Sequence, residues 1–170
     1  PRSPYGEALR QIAQLIKADV GLEVAFTELG NWDHHVNEGS VTGQIATRLG
    51  EFSRGLAALA ADLDDRMADT VIVTMSEFGR AAAENGNGGT DHGHGNAMMV
   101  IGGNVRGGVH GRWPGLGEGQ RFEGRDLAVT TDFRDVFTDI VAGHMGVSRD
   151  GLSRIFPNYA ASSSPGVIRG

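Results

Sequence analysis

TVIVTMSEFGRAAAENGNGGTDHGHGNAMMVIGG, residues 70–103, decides how the rest of the chain is read. Two apolar runs, 70–75 and 97–101, flank a polar loop over 76–96 that carries Glu77, Arg80, Asp91, His92 and His94. Loops this long inside compact domains are functional or disordered. This one gathers metal-ligand side chains among glycines, so it reads as a site. The flanking runs read as strands: 70–75 is apolar and β-rich throughout, as in the buried interior of a parallel sheet.

Working outward, the preceding segment 40–67 spaces Val41, Ile45, Leu49, Phe52, Leu56, Leu59, Leu63 and Met67 by three or four, which predicts one long helix with a buried stripe. Upstream of it, 22–29 (LEVAFTEL) is short and β-rich and reads as a strand. A first helix over 4–20 is read from Leu9, Ile12, Ala13, Leu15 and Ile16 at helical spacing. The order helix, strand, helix, strand predicts an α/β fold: a layered α/β/α sandwich with a mostly parallel sheet and a right-handed crossover. Downstream, 102–124 reads as glycine-rich loop and 127–131 as a short extended piece. A helix then starts from Asp132 as N-cap, with Phe133, Val136, Phe137, Ile140, Val141 and His144 on its apolar face. An apolar turn around Phe156 and a loose tail over 158–170 close the chain, which makes 1–157 one domain.

At 170 residues and 39% hydrophobic composition the chain can bury one core. A formal charge of −6, with Lys17 the only lysine and the arginines dispersed, argues against nucleic acid as a partner. With no cysteine, zinc-thiolate sites, disulfides and thiol nucleophiles are excluded. No run reaches the roughly 20 apolar residues of a membrane span. The chain begins at Pro1 without Met, which suggests a piece of a longer product.

Asp33 and His35 follow the first expected strand by a few residues, where functional groups collect in α/β sheets. A carboxylate and an imidazole two apart can face one ion, and this donor set suits Zn, Mn or Fe. The alternative is a polar surface loop over Trp32. Asp91-His92-Gly93-His94 is the sharper signal, because its glycines free the backbone to turn adjacent side chains to one centre. Glu77 reads as a ligand, as a general base, or as the partner of Arg80 in an i, i+3 ion pair. Arg80 reads equally as a clamp for a phosphate or sulfate oxygen. His144 reads as core. There is no GxSxG elbow, no Walker loop, and no GxGxxG between a strand and a helix.

VTMSEFGR (73–80), GGTDHGHGNAMMVIGG (88–103), the glycine stretch around 107–116 and TTDFRDVF (130–137) together resemble the DUF1501 family, grouped with alkaline phosphatases and sulfatases. The loop NWDHHVNEG (31–39) resembles that family's W-D-T-H-x-N pattern, with His34 where threonine is usual. The resemblance implies a partial alkaline phosphatase-like domain. It implies one or two divalent ions, Zn or Mn, held by Asp33 and His35 from one cluster and Asp91 and His92 from the other; Glu77 and His94 are read as further ligands from their place in the loop, not from the resemblance. Arg80 would then contact a small anionic ester substrate. Family members are more than twice as long and often carry an export signal. This chain resembles their C-terminal half, so the resemblance implies an exported, periplasmic parent whose N-terminal half is its partner and supplies the nucleophile. The reading is a metal-dependent hydrolase of sulfate or phosphate esters. Its rival is a non-catalytic exported binding or structural protein that keeps the fold. The two clusters meet most simply if the 97–101 strand runs antiparallel to its neighbours; otherwise the loop must fold back over the sheet edge.

Overall fold

The computed structural model describes residues 2–161 and 164–169. Its contacts divide the chain into two compact units: one runs to Met67 and includes Ala83–His92, the other takes Ala68–Ala82 and everything from Gly93 onward.

The first unit is built on two helices. In α1 (Pro4–Lys17) the Ser3 hydroxyl accepts from the Gly6 N–H at 3.1 Å and Pro4 stands in the first turn, where its missing N–H costs nothing. α2 (Gln44–Leu63) packs on it through Leu56, Leu59 and Leu63, which meet Tyr5, Leu9 and Ala13. Gly55 lies at their crossing, where any Cβ would overlap the Tyr5 ring. Both helices are shorter than their apolar periodicity suggests. Asp19 and Asp64 take positive φ (53° and 48°), a conformation no helix continues through, and Gly43 at φ 103° delays the start of α2. A 3-10 helix, Asp64–Asp69, follows. Arg66 donates to the Ile16 and Lys17 carbonyls at 3.3 Å each and satisfies the end of α1.

In the second unit, β1 (Val71–Val73) pairs antiparallel with β4 (Val100–Gly102) in the register Val71↔Gly102, Ile72↔Ile101, Val73↔Val100. β2 (Gly79–Arg80) and β3 (His92–Gly93) form the other two-stranded sheet. α3 (Phe133–Gly143) starts from Asp132, whose carboxylate accepts from the Arg134 N–H at 2.8 Å. Its Val136 and Ile140 form the core with Val167 and Ile168, and Val71, Val73, Met98, Val100 and Val105 pack around them. α4 (Arg149–Ile155) follows. The chain end expected as a loose tail returns at 164–169: Val105 bridges Ile168, and Asp139 accepts from Ser164 Oγ and the Val167 N–H at 2.6 Å each. His110 sits between the Arg106 and Pro165 carbonyls at 2.8 and 3.0 Å.

The layered α/β/α sandwich, and with it the partial alkaline phosphatase-like domain, is therefore overturned. The described residues hold four α-helices and two two-stranded sheets, and no parallel pair. The apolar run at 70–75 suggested a strand covered on both faces, but Val71–Val73 is only half-buried and has one partner. The expected strand at 22–29 forms no sheet: it is extended, with Val24 69% and Phe26 86% exposed. A strand exists only where another satisfies its backbone groups, and none does so here among the described residues. The antiparallel sense expected for the third strand is the sense in which β4 pairs.

Candidate metal centre

Two loops of the first unit, 31–39 and 83–92, run together and carry the site. Asn37 N–H donates to the Asn87 carbonyl at 3.1 Å, Glu38 N–H to Gly88 at 2.8 Å, and Thr90 N–H to His34 at 3.1 Å. Thr90 Oγ1 donates to Glu38 Oε2 at 2.6 Å. At Gly89 the backbones come so close that a Cβ would overlap the His35 carbonyl. Asn31, Asn37 and Gly88 take the positive φ values that these turns require (63°, 50° and 68°), which asparagine and glycine tolerate best.

This pairing brings distant residues to one point. Asp33 Oδ1 lies 2.8 Å from His35 Nε2 and 2.7 Å from His92 Nε2. The three atoms lie within 4.8 Å of one another. The two imidazoles face each other at 5.0 Å between centroids with 30° between planes. On the far side of the His35 ring, Nδ1 lies 3.0 Å from Asp91 Oδ1. The side chains are open to solvent: 43% for His35, 50% for His92 and 56% for each aspartate. Exposed carboxylate–imidazole contacts contribute little to stability, about 0–1 kcal/mol each when charged.

One carboxylate oxygen and two imidazole nitrogens are a donor set that Zn, Mn and Fe(II) accept. Ligand atoms on a tetrahedral ion stand roughly 3.3 Å apart, given bonds of about 2.0–2.1 Å. The two contacts to Asp33 are shorter, so an ion would part them by about half an ångström. Exposed side chains on loops can make that adjustment. His35 meets the second requirement of such sites: while Nε2 faces the ion position, Nδ1–H donates to a carboxylate.

Of the residues singled out in sequence, Asp33, His35 and His92 form the group, and Asp91 stands behind His35. His34 is buried at 7% exposure, and its Nδ1 has no hydrogen-bond partner among the described residues. Glu77, Arg80 and His94 belong to the second unit and are not members of the group. Glu77 is exposed, in the turn after β1. The Arg80 guanidinium lies 5.0 Å over the Phe78 ring. His94 stacks on Phe122 at 4.0 Å, with 9° between planes. Asn85 was missed. Its amide joins both loops, and an asparagine in an Asn- and Gly-rich run gives no local sign of such a role.

The family described as "Protein of unknown function (DUF1501)" matches residues 6–153. No curated protein and no solved structure matches the chain. Among the described residues no helix is long and apolar enough to cross a membrane.

Proposed function

The chain belongs to the DUF1501 family, and we propose that it holds a divalent ion, Zn or Mn, between Asp33, His35 and His92 and takes part in hydrolysis of small sulfate or phosphate esters. The observation that carries this reading is the convergence of Asp33 Oδ1, His35 Nε2 and His92 Nε2 within 4.8 Å, from loops more than fifty residues apart. Three protein ligands in an open setting leave room for water and substrate, which separates hydrolytic sites from closed structural ones. A divalent ion supplies Lewis acidity towards water and an ester oxygen.

The chain's own residues have distinct tasks. Asp33 offers the anionic oxygen on which both imidazoles converge. His35 presents Nε2, and its Nδ1–H is held by Asp91. His92 brings the second imidazole from the other loop. Arg80 is the proposed contact for the ester's anionic oxygens. Within the second unit it lines a cleft of about 400 Å³ with Ser76, Phe78, Asn96, Trp113 and Leu116. The sulfate or phosphate class, and an exported location, rest on the sequence resemblance.

Metal analysis tests the reading. After loading with Zn or Mn and gel filtration, the chain should retain about one equivalent of ion, and Asp33→Ala or His92→Ala should retain almost none. A wild-type chain free of metal under these conditions sinks the proposal. A chain that binds metal but turns over no aryl sulfate or phosphomonoester, alone or within a longer gene product, favours the non-catalytic binding reading.

A further inference from the structure

We infer that Asn85 is a positioning residue for this metal centre, acting through Asp91 and the His35 backbone. The inference rests on the metal reading above. Asn85 Nδ2 donates to the His35 carbonyl at 3.0 Å and to Asp91 Oδ1 at 3.1 Å. Its Oδ1 accepts from the Asn87 N–H at 2.9 Å and the Gly89 N–H at 3.2 Å. Its own N–H donates to the Gly89 carbonyl at 2.8 Å. A primary amide has two donor hydrogens and two acceptor lone pairs, and here all four are used.

The choice of partners gives this bond set its meaning. Asp91 Oδ1 is the atom that faces His35 Nδ1, so one oxygen receives both the Asn85 amide and the imidazole. The amide fixes the carboxylate, the carboxylate fixes the plane of the His35 ring, and the ring plane sets where Nε2 points. The second N–H of the same amide holds the His35 backbone. Ring and backbone of one ligand are thus referenced to a single side chain. The Oδ1 side closes the 85–89 turn that leads into Thr90, Asp91 and His92. Aspartate at this position keeps the turn's acceptor but loses both donors and sets a second carboxylate against Asp91. Alanine loses everything.

Outer partners of metal-bound histidines typically carry ~10–100-fold in metal affinity. The test measures Zn affinity of the whole chain by competition with a chromophoric chelator, together with the visible absorption of bound Co(II). Asn85→Asp and Asn85→Ala should each weaken Zn binding by ~10–100-fold and change the Co(II) spectrum. In an Asp91→Ala background, Asn85→Asp should cost clearly less than in wild type, because one of its two paths is already cut and only the bond to the His35 carbonyl remains to be lost. Circular dichroism of the metal-free variants identifies any that fail to fold, and Asn85→Asp, which keeps the turn, serves if Asn85→Ala does not. Wild-type affinity and spectrum in both variants overturn the inference. So do losses that simply add to that of Asp91→Ala. A wild-type chain that binds no Zn or Co(II) instead overturns the metal reading itself.

Discussion

At the scale of single residues, the site depends as much on what is missing as on what is present. Gly89 has no side chain where the 83–92 loop crosses the backbone of His35. Gly89→Ala forces a methyl into the His35 carbonyl. Overpacking of this kind costs roughly 1–3 kcal/mol, and here the strain falls on a ligand's own peptide. Urea unfolding should show a lower midpoint with unchanged slope, and Zn affinity should fall with it. A variant as stable and as avid as wild type would show that the two loops do not meet at this point. Asp33, His35 and His92 were visible in the sequence because their chemistry is local: a carboxylate with an imidazole, or an imidazole among glycines, marks itself. The pairing of the 31–39 loop with the 83–92 loop was not visible, and neither was Asn85. Both arise from hydrogen bonds between segments about fifty residues apart, which no spacing rule encodes.

At the scale of elements, the long helices were legible and the strands only in part: β1 and β4 fall on the apolar runs at 70–75 and 97–101, while 22–29 forms none. The stripes of α2 and α3 carry their own periodicity, and Asp132 caps α3 as its position ahead of the apolar face predicts. A strand's existence depends on a partner elsewhere, so the apolar run at 22–29 misled. The TTDFRDVF stretch gains a structural role in the same way. Asp135 is 2% exposed and accepts from the Tyr159 hydroxyl at 2.7 Å, and the Arg134 guanidinium lies 3.9 Å over the Tyr159 ring. Burial, and then the bond to Asp135, push the Tyr159 phenol up to about 12. A raised phenol stabilises the fold fully below its unfolded value near 10, and that contribution is lost as pH rises towards 12. Thermal melts should therefore fall more steeply with pH across this alkaline window in wild type than in Tyr159→Phe. Ultraviolet titration should show a late-ionising tyrosine that the variant lacks. Parallel melting curves, or early ionisation, would remove Tyr159 from the anchor of α3.

At the scale of the whole chain, order is distributed unevenly, and the distribution follows from where backbone groups find partners. Each unit has its own apolar centre, one between α1 and α2, the other around Val136, Ile140, Val167 and Ile168. Segment 22–30 has neither a core nor a ladder: no amide in it donates to a backbone carbonyl among the described residues. Native-state amide exchange reads this directly, since protection tracks hydrogen bonding and the free energy of local opening. The central amides of α2 and α3 should exchange slowest. Those of 22–30 should exchange at close to the rate of an unstructured peptide, despite a composition that suggests a buried strand. Val71–Val73, paired on one edge among the described residues, should fall between these limits. Strong protection across 22–30 in the isolated chain would mean that this segment pairs after all, and the two-stranded description of the sheets would have to be revised.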